Sequence, residues 1–168
     1  MVKRYSRLLS PRLEAVLSFV EGRVLADIGT DHGYLPIVAC LAEKIEYAIA
    51  CDANAGPLER AAENILRYGL DDRIQARLGF GLRPIMPKEA DCLVIAGMGG
   101  MNIIEILKDQ ESLLSLHSMK RLIIQPQRDI IKVRHTLDEM GFSFVDEVSV
   151  REKHRFYSVI AVNGMLHL

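Results

Sequence analysis

From Gly22 onward, short apolar runs alternate with segments whose apolar residues recur three and four positions apart. That rhythm is the mark of a mostly parallel sheet covered by helices, and it constrains the fold more than any other feature of the chain. The strand-like runs are Val24 to Ile28, Tyr47 to Cys51, Ile74 to Leu78, Cys92 to Ala96 and Leu122 to Gln125. Helix-periodic segments occupy Leu35 to Glu43, Pro57 to Tyr68, Asn102 to Leu116 and Arg128 to Met140, the last stopped by Gly141. The third connection, "LRPIMP", is short and turn-like. After Gly141 the pattern changes to "FSFVDEVSV" and "FYSVIAV", separated by "REKHR". These two runs predict an antiparallel hairpin that closes one edge of the sheet. Ser10 and Pro11 supply the cap and first turn of a short helix over 11–20, with Leu13, Val16, Leu17 and Val20 on one face. No repeat, linker or low-complexity segment interrupts the chain.

With 168 residues, 49% of them hydrophobic, such a chain can bury a core without disulfides or metals, so residues 1–168 are expected to form one domain. A net charge of −1 argues neither for nor against a nucleic-acid partner. Cys40, Cys51 and Cys92 are odd in number, widely spaced and set among apolar residues, which suits reduced, buried thiols. No metal site is expected. No apolar stretch approaches the roughly 20 residues that span a bilayer, and "MVKRYSRLLSPRLE" lacks the apolar core of a signal peptide. A cytoplasmic location without membrane partners is therefore expected.

In open parallel sheets, ligands bind beyond the carboxyl ends of the strands, where strand order reverses. There the first strand ends in "ADIGTDHGYLP", which places Asp27, Gly29, Asp31 and Gly33 in the form D-x-G-x-D-x-G. A dinucleotide site would show G-x-G-x-x-G, so that a pyrophosphate can approach bare backbone, and the absence of that motif disfavours an NAD-dependent oxidoreductase. An acid at the middle glycine position repels pyrophosphate and attracts a cation such as an α-ammonium group. S-adenosylmethionine carries ammonium, carboxylate and sulfonium groups and no phosphate. Asp52, after the second strand, suits a ribose diol, which either cofactor would supply. "LGFGLRP" and "IAGMGG" place Gly79, Gly81, Gly97, Gly99 and Gly100 after the third and fourth strands. Any one of these glycines is most simply a turn residue. The joint occurrence of these loops at the ends of the first four strands fits a class I S-adenosylmethionine-dependent methyltransferase. Asp31 equally suits a helix cap, and His32 a base, a donor to the cofactor carboxylate or a loop-fixing residue. Lys3, Arg4, Arg7 and Arg12 precede any acid, and "REKHR" is basic; such runs are either solvated ends or contacts to phosphate.

"LSPRL", "ADIGTDHGYLP", "IAGMGG" and "LIIQPQ", in this order, resemble the bacterial tRNA (adenine-22-N1)-methyltransferase family over Leu9 to Val162. The resemblance implies a Rossmann-like α/β class I fold: a mostly parallel seven-stranded sheet with a C-terminal antiparallel hairpin and helices on both faces. It implies S-adenosylmethionine bound by Asp27, Gly29, Asp31, His32, Gly33 and Tyr34, by Asp52 and Ala53 in "CDANAGP", by Gly79, Phe80 and Gly81, and by Ala96, Gly97 and Met98. Gly99 and Gly100 would face the target, and tRNA would be the partner. Asp31 and His32, the ionisable residues nearest the expected methyl position, are the candidates for catalysis, and Arg7 and Arg12 of the basic end are those for tRNA phosphates. Three departures stand out. Phe80 occupies the place where the family shows an aspartate suited to the cofactor's adenine amino group. Cys51 replaces a usual glycine. Family members continue into a helical domain thought to help hold tRNA, whereas this sequence stops at Leu168, as a shortened relative or as one domain of a longer protein. The alternatives are a non-catalytic relative that keeps the pocket as a sensor or scaffold, and a small-molecule methyltransferase.

Overall fold

The computed structural model describes residues 5–164. Its elements run α1 (Pro11–Phe19), β1 (Val24–Ile28), α2 (Tyr34–Leu41), β2 (Tyr47–Asp52), α3 (Ala55–Arg67), β3 (Ile74–Leu78), β4 (Cys92–Met98), α4 (Gly100–Lys108), α5 (Leu113–Ser118), β5 (Arg121–Pro126), α6 (Ile130–Glu139), β6 (Ser143–Glu152) and β7 (Arg155–Asn163). The seven strands form one sheet in the order β3-β2-β1-β4-β5-β7-β6. β1 to β5 pair in parallel, while β7 runs antiparallel to both β5 and β6. The seven-stranded sheet and its terminal hairpin are therefore as expected, with helices on both faces.

Alternation along the central strands assigns each face its helices. Ala26, Ile28, Leu93 and Ile95 pack with Ile103, Leu107 and Val133 of α4 and α6. Leu25, Cys92 and Val94 pack with Val16, Leu17, Ile37 and Ile65 of α1, α2 and α3. Such two-sided burial is what near-continuous apolar strands require. Ser10 caps α1 as expected, its side chain accepting from the Leu13 N–H at 3.4 Å.

One expected helix is broken. The periodicity from Asn102 to Leu116 continues across α4, a 3-10 turn over Gln110–Ser112 and α5. Asp109 ends α4 in extended geometry, and its carboxylate accepts from Ser112 Oγ at 2.9 Å and from Arg83 Nη2 at 3.0 Å. These bonds offer the chain an alternative to continuing the helix. The three cysteines are free and buried, and burial pushes the thiol of Cys40 up to about 11 and those of Cys51 and Cys92 up to about 12. Among the described residues, no helix is long and apolar enough to cross a membrane.

Sheet order reverses between β2-β1 and β4-β5, because β1 lies between β2 and β4. The crevice expected for a ligand thus opens at the ends of β1 and β4.

Candidate active site

The loop after β1 is held from two sides, by β2 and by α3. The N–H groups of Gly29 and Thr30 donate to the Cys51 carbonyl at 2.8 and 2.9 Å, fastening it to β2. From α3, the buried Asn64 donates through Nδ2 to the His32 carbonyl at 2.9 Å. Gly33, at φ 72°, precedes α2, and a Cβ there would press on Ala61 Cβ at 3.2 Å, so α2 and α3 approach closely only over a glycine. Asp31 is also left-handed, at φ 53°, a conformation that aspartate tolerates better than most residues. α2 receives no side-chain cap, so the capping role considered for Asp31 is not taken. Its carboxylate is instead 63% exposed, 3.7 Å from His32 Nε2 and 3.5 Å from Arg60 Nη2. The His32 ring stacks on Tyr34 with centroids 5.7 Å apart.

Asp27 is the loop's buried acid. Its carboxylate accepts from Thr30 Oγ1 at 2.7 Å. Burial pushes its pKa up to about 7; the Thr30 hydrogen bond opposes that shift and the charge of Asp52 adds to it. Asp52, at the end of β2, accepts from the Asn54 N–H at 2.9 Å.

Two adjoining compartments meet at this loop. The first, of about 350 Å³, lies between α1, the β1 loop and the end of β4, and is lined by Arg12, Asp27, Thr30, His32, Tyr34 and Gln127 among others. The second, of about 510 Å³, is lined by Asp52, Ala53, Asn54, Pro57, Gly79, Phe80, Gly81, Met98 and residues of α4 including Asn102, Glu105 and Ile106. Gly29, Asp31, Ala96 and Gly97 border both. A Cβ on Gly29 would displace the Met98 Cε, and the residue's φ of 75° itself favours glycine. The Arg83 guanidinium lies over the Phe80 ring, 5.5 Å from its centroid.

Most of the expected site residues therefore converge, and four do not line either compartment. Gly33 serves helix packing. Gly99 precedes α4 beneath Arg128, whose Nε lies 3.3 Å from the position of a Cβ. Gly100 is buried, and its N–H donates to the Arg128 carbonyl at 3.1 Å. A Cβ at Gly100 would stand 2.6 Å from that oxygen and 2.8 Å from Asp129 Cβ. Its role is thus to let α4 approach the start of α6. Gly100→Ala is expected to cost about 1–3 kcal/mol by overpacking, measured by chemical denaturation. Arg7 is exposed on the 3-10 turn Ser6–Leu8, and Lys3 and Arg4 lie outside the described residues. Arg12 has protein partners: Nε donates to Glu152 Oε2 at 3.1 Å and Nη1 to Gln125 Oε1 at 2.7 Å.

Sequence reasoning missed Thr30, Asn54, Asn64, Gln125 and Gln127. Gln125 alone carried a readable signal, a polar residue ending an apolar strand run in "LIIQPQ".

A family model described as "Methyltransferase domain" matches residues 9–160. The tRNA (adenine(22)-N(1))-methyltransferase of Bacillus subtilis is 39% identical over 157 residues, which are 93% of this chain and 65% of that protein. This chain thus spans just under two thirds of that relative's length. A putative tRNA (m1A22) methyltransferase of Streptococcus pneumoniae, solved with S-adenosyl-L-methionine, superposes with TM-score 0.88 at 38% identity, covering 95% of this chain and 75% of that one. The M. capricolum TrmK structure with S-adenosyl-homocysteine gives TM-score 0.83 at 32% identity, covering 96% and 72%. By the family-model match over residues 9–160 and these likenesses in sequence and fold, the chain belongs to the methyltransferase-domain family, in its tRNA (adenine-22-N1)-methyltransferase branch.

Proposed function

We propose that this chain is an S-adenosylmethionine-dependent methyltransferase that modifies N1 of an adenine in tRNA, at position 22 as in the names of its relatives, in the cytoplasm. The observation that carries the reading is the pair of compartments joined at Gly29 and Gly97, with a buried acid in each, Asp27 in one and Asp52 in the other.

The residues present fit the cofactor. Asp27 offers negative charge to an ammonium group, and His32 stands in the same compartment to meet a carboxylate. Asp52 serves the ribose diol. Gly79, Phe80, Gly81 and Ile106 form a half-apolar bed for a purine. Phe80 supplies a ring to stack against in place of the expected carboxylate, so the adenine is held by packing here. Phe80→Ala is expected to weaken S-adenosylhomocysteine binding about tenfold in isothermal titration, the worth of one aromatic contact. When bound, the cofactor supplies an electrophilic methyl group on sulfonium.

N1 lies on the Watson–Crick edge of adenine, so the base must be unpaired or extruded to enter. Neutral N1 already has its lone pair, and the protein's task is mainly to position it. The exposed Asp31 carboxylate, at the junction of both compartments, accepts a hydrogen bond from the exocyclic amino group and takes up the proton lost once N1 bears charge. His32 is fixed beside it by Tyr34 and Asn64. Arg7, exposed on its 3-10 turn, offers a cation to tRNA phosphate.

The test is titration with S-adenosylhomocysteine, with NAD as control, followed by mass spectrometry of a tRNA transcript carrying adenine or guanine at position 22. Binding of the former ligand alone, with methyl transfer only to the adenine transcript, is expected. Binding without transfer to any RNA would turn the reading toward a sensor or scaffold, and NAD binding would overturn it.

A further inference from the structure

Between Ala96 and Met98 the pairing of β4 with β5 shifts register: Ala96 faces Gln125 and Met98 faces Pro126, leaving Gly97 as an extra residue. A bulge of this kind strands a backbone N–H that the ladder no longer satisfies. Here a side chain takes it. Gln125 is fully buried, and its Oε1 accepts from the Gly97 N–H at 3.1 Å. The same oxygen accepts from Arg12 Nη1 at 2.7 Å, and Nε2 donates to the Pro126 carbonyl at 2.9 Å. Two donors converging on one atom fix which end of the amide points at Gly97. Arg12 is itself oriented from the hairpin: Nε pairs with Glu152 on β6, and the guanidinium lies 5.4 Å from the centroid of the Tyr157 ring on β7.

We infer that Gln125 is a positioning residue of the site, which holds the bulged turn at Gly97 between the two compartments, and that Arg12 acts through it. The inference rests on the function proposed above for its catalytic consequence. The sequence suggested phosphate for Arg12. With its side chain only 18% exposed and two of its nitrogens engaged, this arginine braces the turn. Three elements, α1, β4 and β5, thereby meet at one buried oxygen, and the β6-β7 hairpin, which holds Arg12, becomes part of the active-site support.

Three variants separate this role from mere packing. Gln125→Met keeps the length of the side chain and removes the acceptor, Gln125→Glu keeps an acceptor, and Arg12→Ala removes the brace. Amide exchange at Gly97, followed by NMR in the protein without cofactor, is expected to accelerate about tenfold in Gln125→Met and to stay near wild type in Gln125→Glu. In methyl-transfer assays, kcat is expected to fall about tenfold or more in Gln125→Met and Arg12→Ala, with no further loss in the double variant, and to recover largely in Gln125→Glu. The salt slope of RNA binding should not change in Arg12→Ala. Wild-type exchange at Gly97 in Gln125→Met would overturn the inference, whether or not the chain proves to be a methyltransferase. So would equal losses in the Met and Glu variants, or a salt slope reduced by one phosphate's worth in Arg12→Ala with kcat intact. If the wild-type chain transfers no methyl group, the proposed function fails and the exchange result still decides the structural claim.

Discussion

Asp27→Asn is expected to weaken S-adenosylhomocysteine binding by roughly 10- to 100-fold at pH 8 while raising the thermal midpoint of the protein without ligand. Both effects come from one buried carboxylate. Folding removes Asp27 from water, and its pKa rises from 3.8 to about 7. Between those values the folded chain holds a proton that the unfolded chain has released. Stability therefore falls as pH rises across that window and stays low above it. Asparagine cannot ionise and can still accept the Thr30 hydroxyl through its carbonyl oxygen. The variant's advantage in midpoint should be largest at pH 8 and should shrink toward pH 4. Ligand binding should show the opposite demand, because an ammonium group is met by the ionised acid. For the wild type, affinity should rise with pH up to about 7 and level off beyond it, whereas the variant's curve should be flat through that range. A variant that binds as tightly as wild type would remove Asp27 from the ammonium site. One that is destabilised at pH 8 would show that the carboxylate is better solvated than its burial implies.

That antagonism explains why the fold and part of the site were legible before the structure. Five short apolar runs and their covering helices announce a parallel sheet, and acids at the ends of two adjacent strands sit where such a sheet binds ligands. A buried acid at a strand end is costly for stability, so its presence in an otherwise apolar run points to function. The illegible features depend on residues distant in sequence. Arg12 looks like part of a basic N-terminal run until the fold brings Glu152, 140 positions later, against it. Gly100 resembles another bare-backbone ligand contact until α6 arrives beside it with the Arg128 carbonyl. The break after Lys108 depends on Arg83, 26 positions from Asp109, and no helical period encodes that. Periodicity reports which face of an element is buried; it does not report the identity of what buries it.

Asp31→Asn should leave cofactor affinity within a few-fold of wild type and lower kcat by about 100- to 1,000-fold. The reasoning turns on where the two loop acids stand. Asp27 is buried and committed to one compartment, whereas Asp31 is exposed and borders both, at the place where a target base and the methyl donor would have to meet. Asparagine retains the size of the side chain and tolerates the left-handed backbone of this position, where alanine would add strain to the chemical defect. Because α2 takes no cap from Asp31, the substitution should not move the thermal midpoint. The remaining partners, His32 at 3.7 Å and Arg60 at 3.5 Å, are surface contacts worth little to stability. A loss confined to kcat would place the carboxylate at the reacting base, where its hydrogen bond strengthens as the adenine gains positive charge. A loss confined to cofactor affinity would instead make Asp31 a second ammonium ligand beside Asp27. In that case the proton leaving the methylated adenine would pass to His32 or to water, and the remaining activity should depend on His32.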